Sequence, residues 1–130
     1  MIKQPILNPL LLSLLARVRH TNTLVIADHS FPFWPMIETV DISLVRGTPT
    51  VLQVLDAVRA SFEVDEAFMA EEFLARNSAD TRAAYAQAFQ GVEVAYEPHE
   101  ARFKPRVPRA IGLIRTGDVT PYGNVILTSR

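Results

Sequence analysis

Asp28, His20, Tyr122 and Asn124 are the polar residues whose positions could do chemistry. Asp28 directly follows Thr23-Leu24-Val25-Ile26-Ala27, a run too short for a helix and too uniformly apolar for a surface strand, so the run reads as a buried central strand. In open α/β sheets ligands collect outside the carboxyl ends of strands, which makes Asp28 a binding candidate on position alone. The competing reading is an Asx turn, in which the carboxylate bonds its own loop. His20 is the only histidine near the end of an expected helix, where the dipole favours a positive charge; helix capping is the simpler account of it. Tyr122 and Asn124 stand two apart at the start of an expected last strand. Period-two alternation would point both to one face while Gly123 lets a ligand approach the backbone. The pair could hold ligand hydroxyls, or it could be a packed turn tyrosine with a turn asparagine beside it.

Other chemistries lack their residues. There is no cysteine, hence no disulfide, thiolate ligand or cysteine nucleophile. A Gly-rich phosphate loop, a nucleophile elbow and a helical zinc motif are all missing. His20, Asp28, His29 and His99 are the conceivable ligands of a metallohydrolase, but they lie outside any metal spacing, and no metal is expected. Thirteen basic and fourteen acidic residues leave a net charge of −1, so no global field draws in nucleic acid or an anionic membrane. Arg102, Lys104, Arg106, Arg109 and Arg115 do concentrate positive charge, which could receive a sugar phosphate or RNA; a solvated face is the commoner explanation. The longest apolar stretch, Leu10 to Leu15, is far short of the roughly 20 residues a membrane span needs. Arg17, Arg19 and His20 follow that stretch rather than precede it, unlike a secretory signal, so a cytoplasmic protein is expected.

The elements that must position these residues can be read from caps and periodicity. Residues 1–130 are expected to form one domain around one core, since 48% of the chain is hydrophobic and 21% charged. Asn8-Pro9 reads as an N-cap and first helical residue of a helix over about 9–19 with Leu11, Leu14, Leu15 and Val18 on one stripe. After the 23–27 strand comes a loop with Pro32, Phe33, Trp34 and Pro35, then a strand over Thr39 to Leu44. Thr48-Pro49 repeats the cap-then-proline signal ahead of a helix ending near Ala60. Ala67 to Ala70 and Val92 to Tyr96 are expected strands, separated by a helix that Ser78 caps and that runs to about Phe89. Glu97 to Lys104 reads as a short helix, and Ala110 to Arg115 and Asn124 to Thr128 as the closing strands. Interleaved helices and strands predict an α/β fold, a three-layer α/β/α sandwich with a mostly parallel mixed sheet.

The segment from His20 to Asp28 strongly resembles the His-to-Asp segment of the ribose pyranase and fucose mutarotase family. Thr48 to Val58, His99 with Phe103 and Lys104, and Gly117 to Leu127 are similar to later blocks of that family, in the same order. The resemblance covers nearly the whole chain. It implies a cofactor-free isomerase acting on a free monosaccharide such as ribose or fucose, with a ring-based homodecamer and a site between neighbouring subunits. Carried over by position, His20 matches the family's proton donor, and Asp28, His99 and Tyr122-Gly123-Asn124 match its sugar-binding positions. The Phe31-Pro32 pair looks closer to the fucose branch, whereas His99 to Lys104 looks closer to the ribose branch, so the likeness leaves the sugar open. Family members usually carry a short tail beyond the position of Arg130, and whatever that tail does at a subunit interface is expected to be missing or replaced.

Such residues suffice for mutarotation. The ring oxygen must gain a proton as its bond to the anomeric carbon breaks, and the anomeric hydroxyl must lose one. Positioned acid–base groups supply about 10²–10⁴-fold on a reaction that already proceeds slowly in water. An extended 23–27 strand, at about 3.3 Å per residue, puts His20 and Asp28 on the order of 15–20 Å apart. Either that strand is shorter and bent, or a neighbouring subunit brings one of them; the second option is favoured. A binding or regulatory protein that holds a sugar without turning it over is the main rival. Trp34 is expected in an exposed loop, as a lid over the sugar or an interface anchor.

Overall fold

The structure is a computed structural model and describes Met1 and residues 3–130. Its strands are β1 (Thr23–Ala27), β2 (Glu38–Asp41), β3 (Val64–Ala70), β4 (Glu93–Glu97), β5 (Gly112–Arg115) and β6 (Val125–Ser129). They join one sheet in the order β2-β5-β1-β6-β3-β4. β1 and β2 pair with β5 in parallel, β3 pairs with β4 in parallel, and β6 runs antiparallel to both β1 and β3. Five strands therefore share one direction, and their carboxyl ends form one edge of the molecule. The single reversed strand, β6, begins at that edge instead of ending there.

The apolar run of β1 is buried on both faces because helical layers cover both. Leu24 and Ile26 point into a cluster with Leu11 and Leu14 of α1 (Pro9–Ala16), Val54, Leu55 and Val58 of α2 (Val51–Arg59), and Tyr85 of α4 (Ala79–Ala88). Val25 and Ala27 point the other way, to Phe31, Phe103, Val107 and Ala110. That second layer is thin, made of the 28–37 loop and a helical segment over residues 99–109. The fold is the expected three-layer α/β/α arrangement with a mixed, mostly parallel sheet.

Local chemistry accounts for most boundaries. Asn8 Oδ1 accepts from the N–H groups of Leu10 and Leu11 at 3.0 and 3.1 Å, and Pro9 at the first position needs no partner. α1 stops at Ala16 rather than near residue 19. Arg19 turns back to donate to the carbonyls of Ala16 and Val18, Asn22 Oδ1 accepts the Arg19 N–H, and Thr21 takes a positive φ. The cap of α2 is Thr50, not Thr48: its hydroxyl accepts from Gln53 N–H at 3.1 Å while Gln53 Oε1 accepts from Thr50 N–H at 2.8 Å, a reciprocal pair that Thr48 could not make. β2 ends at Asp41, short of Leu44, because Asp41 Oδ1 accepts from Ser43 and turns the chain. β3 starts earlier than expected, at Val64, and α3 (Glu72–Arg76) follows it without an apolar repeat long enough to announce it.

The expected 97–104 helix is a composite. It is π-wound over His99–Phe103, α-helical over Lys104–Arg106 and 3₁₀ over Val107–Arg109. The Phe103 N–H donates to the carbonyl of Pro98, five residues back, and π-turns of this kind concentrate at functional sites.

Candidate functional site

The topology brings four segments to the carboxyl edge. Asp28 follows β1, His99 follows β4, residues 116–121 follow β5, and the reversed direction of β6 delivers Tyr122, Gly123 and Asn124 to the same place. Between them lies a cleft of about 270 Å³ whose walls include Asp28, His29, His99, Lys104, Tyr122 and Asn124. Ligand sites of open α/β sheets are found at this edge.

Asn124 is buried, and its Oδ1 accepts the N–H of Asp28 at 2.6 Å. An N–H can only donate, so this bond fixes which end of the Asn124 amide is oxygen and leaves its NH₂ group without a partner among the described residues. Asp28 forms the expected Asx turn and also lies on the cleft wall. Its Oδ1 accepts from the N–H and hydroxyl of Ser30 at 3.0 and 3.2 Å.

His99 packs within a shell of rings. It stacks on Phe103 at 5.6 Å between centroids and meets Tyr122 edge-on at 5.1 Å. Its backbone N–H is held by the Glu72 carboxylate at 3.1 Å, and its Nδ1 is buried without a partner. Burial, then the Lys104 ammonium, hold the imidazole below its ordinary pKa, so neutral His99 is favoured.

Tyr122 and Asn124 reach the cleft, but not by strand alternation. β6 starts only at Val125, and Tyr122 sits in a turn at φ 55°, so both side chains are placed by the turn. Gly123 is buried rather than open to a ligand. A Cβ there would lie 2.5 Å from the Tyr85 hydroxyl oxygen, and that hydroxyl donates to the Gly123 carbonyl at 3.1 Å. The glycine lets the loop close on α4.

His20 is elsewhere. It is exposed, in the turn before β1, at the amino edge of the sheet. Arg19, not His20, caps the end of α1, and the His20 side chain bonds nothing among the described residues. β1 occupies all of Thr23–Ala27, so the shorter, bent strand that would have brought His20 near Asp28 is not what forms.

Several functional neighbours were not legible in the sequence. Asp118 is buried; its Oδ2 accepts from Val51 N–H, the first residue of α2, at 2.8 Å, and its Oδ1 from Thr120 N–H at 2.7 Å. Arg115 donates to the carbonyls of Asp28, His29 and Phe31 and shapes the loop after β1. Arg106 forms a two-pronged pair with Glu97 at 2.8 and 2.6 Å, and Lys104 pairs with Glu100, so much of the basic stretch is paired internally. Trp34 is neither an exposed anchor nor a cleft wall. It packs against the second apolar cluster beside Phe31, and Phe33 is the exposed ring of that loop. Among the described residues, no group of three or more His, Asp or Glu side chains is placed to hold a metal, and no helix is long and apolar enough to cross a membrane.

The chain is similar to known proteins along nearly its whole length. A D-ribose pyranase of Geobacillus kaustophilus is 43% identical over 129 residues, covering 99% of this chain and 93% of that protein. The structure of Bacillus subtilis RbsD complexed with D-ribose superposes with a TM-score of 0.91 at 33% identity, covering 99% of this chain and 97% of the other. The fucose mutarotase of Streptococcus pneumoniae in complex with L-fucose shares the fold, with a TM-score of 0.84 at 20% identity over 99% and 97% of the two chains. The RbsD / FucU transport protein family model matches residues 1–129, and the chain belongs to that family.

Proposed function

We propose that this chain is a sugar mutarotase of the pyranase type, an isomerase that interconverts ring or anomeric forms of a free monosaccharide. The observation that carries the reading is the 43% identity to a D-ribose pyranase across nearly the full chain, and it favours D-ribose as the substrate. The cleft suits the task. Asp28, Tyr122 and the free NH₂ of Asn124 offer acceptors and donors for sugar hydroxyls, and His99 adds an apolar ring with a polar edge.

His20 is the proposed proton donor to the ring oxygen. Because it stands at the opposite edge from Asp28, it acts on sugar bound to a neighbouring copy, so the working form is a homo-oligomer, a decamer by family likeness. Exposed apolar side chains support this: Val119 lines the cleft, and Leu44 and Val45, on the segment that follows β2, are exposed at the same edge of the sheet. Apolar residues concentrated beside a polar cleft fit a protein interface better than a solvated rim. The protein is proposed to work in the cytoplasm, without cofactor or metal.

Saturation-transfer NMR on ribose, fucose and galactose tests the reading. Faster exchange between forms of one of these sugars on adding protein supports a mutarotase. Binding of sugar with no change in exchange would make the chain a sugar-binding protein instead. Light scattering that finds an active monomer would dismiss the shared site.

A further inference from the structure

We infer that His29 is the proton acceptor of this reaction, its Nε2 taking the proton of the anomeric hydroxyl; the inference rests on the mutarotase reading. His29 lines the cleft next to Asp28. Its Nδ1 lies 2.9 Å from the Asp118 carbonyl oxygen, which also accepts the His29 backbone N–H at 3.1 Å. A carbonyl can only accept, so Nδ1 carries the proton and the neutral ring keeps its lone pair on Nε2. Nε2 bonds nothing among the described residues. The carbonyl that orients the ring is itself fixed: the Asp118 carboxylate bonds Val51 and Thr120, and its N–H donates to Thr116 Oγ1 at 3.1 Å. A base held in one tautomer by a third, immobile group is the arrangement that acid–base catalysis requires.

The other acceptors of the cleft are less suited. Asn124 Oδ1 already takes the Asp28 N–H, and Asp28 Oδ1 takes two bonds from Ser30. The remaining Asp28 oxygen can hold a hydroxyl, but carboxylates are ordinarily weaker bases than imidazoles for a hydroxyl proton at neutral pH. The buried, unpartnered Nδ1 of His99 is more tolerable as a bare lone pair than as an orphaned N–H, which puts the His99 proton on Nε2 and makes His99 a donor. The two cleft histidines thus hold opposite tautomers, one giving and one taking a hydrogen bond.

The step balances. As the bond between the anomeric carbon and the ring oxygen breaks, the acid protonates the ring oxygen, His29 Nε2 removes the hydroxyl proton, and the anomeric carbon becomes a carbonyl. After rotation of the open chain, His29 gives its proton to the carbonyl oxygen and the acid takes one back from the attacking hydroxyl as the ring closes. No oxidant, metal or further reactant is needed.

The test measures ribose exchange by saturation transfer and ribose affinity by calorimetry, across pH, in the wild type and in His29→Gln, which keeps a polar side chain of similar reach but cannot accept a proton at neutral pH. Exchange should fall about 10²–10⁴-fold with affinity nearly unchanged, and the loss of activity toward acid expected of the wild type should be absent from the variant. A variant that exchanges at the wild-type rate, or that loses affinity while keeping the acid limb, overturns the inference and leaves the mutarotase reading standing. Wild-type protein that binds ribose without speeding exchange removes both. Should His29→Gln fail to fold, ¹⁵N-histidine spectra of the wild type decide. With only three histidines in the chain, His29 should show a protonated Nδ1 and an Nε2 resonance that moves on adding ribose. The opposite tautomer, or an Nε2 that ignores ribose, overturns the assignment.

Discussion

At the carboxyl end of β1, Asp28 is fixed by a backbone bond to Asn124, by its own turn through Ser30 and by an Arg115 that gathers the loop carbonyls. At the amino end, eight residues earlier in the sequence, His20 stands exposed in a turn, and its side chain makes no hydrogen bond among the described residues. One end is preorganised inside a single chain, while the other, on the proposed shared site, would be completed by a neighbouring copy. On the proposed roles, Asp28 can be lost without disturbing the acid His20, and the acid can be lost without disturbing binding.

Removing the acid should have the largest effect. His20→Ala is expected to slow sugar exchange about 10²–10⁴-fold while calorimetry finds wild-type affinity. If the two ends of β1 meet across subunits, mixing His20→Ala with Asp28→Ala protein under subunit-exchanging conditions restores part of the activity, because some clefts then pair an intact His20 with an intact Asp28. No rescue after verified exchange would defeat the shared-site argument.

The carboxyl end depends on Asp118, so breaking it there should cost stability. Asp118→Ala leaves the buried N–H of Val51 and the half-buried N–H of Thr120 without acceptors, at about 1–3 kcal/mol each. Urea unfolding at fixed protein concentration should show a loss of about 2–5 kcal/mol. A midpoint equal to wild type would mean that the loop is held by other contacts.

Asp28→Ala sharpens the contrast from the binding side. Sugar hydroxyls left unpaired in a partly desolvated cleft should weaken affinity by about 1–3 kcal/mol, a five- to hundredfold change, with little further effect on the rate at saturation. An unchanged affinity with a collapsed rate would exchange the proposed roles of the two ends.

The smallest effect is on pH dependence. Burial lowers the His99 pKa, so the unfolded chain takes up this proton before the folded one as pH falls. The contribution of neutral His99 to stability is full above its ordinary value of about 6.5 and declines as pH drops toward the lowered folded value. Stability should therefore decrease from about pH 7 to pH 5, and His99→Phe should flatten part of that slope. An identical slope in the variant would assign the dependence to other groups.

Much of this frame is local and was readable in the chain. Asn8-Pro9 and Ser78 start their helices because a cap needs only the next three N–H groups. The uniform apolar run of residues 23–27 could only be a doubly covered strand, and that placed Asp28 at a sheet edge. Where the same logic failed, either a better local cap, the Thr50–Gln53 pair, or a longer-range partner had overruled it. Thr48-Pro49 lost the cap to Thr50, Trp34 folded back on an apolar cluster, and Gly123 closed on Tyr85 instead of opening to a ligand.

The sequence by itself located the strands and the caps of α1 and α4, and family likeness proposed the residues His20, Asp28, His99 and Tyr122 to Asn124. Tertiary structure alone decided that β6 runs against its neighbours and so delivers Asn124 to Asp28 across 96 residues. It also decided that a carbonyl of Asp118 fixes the tautomer of His29, 89 residues away. Periodicity and capping act over a turn or two of chain and leave a mark in composition. A single hydrogen bond between distant loops leaves none, because any residue can supply the N–H or the carbonyl and only the packed sheet decides which ones meet.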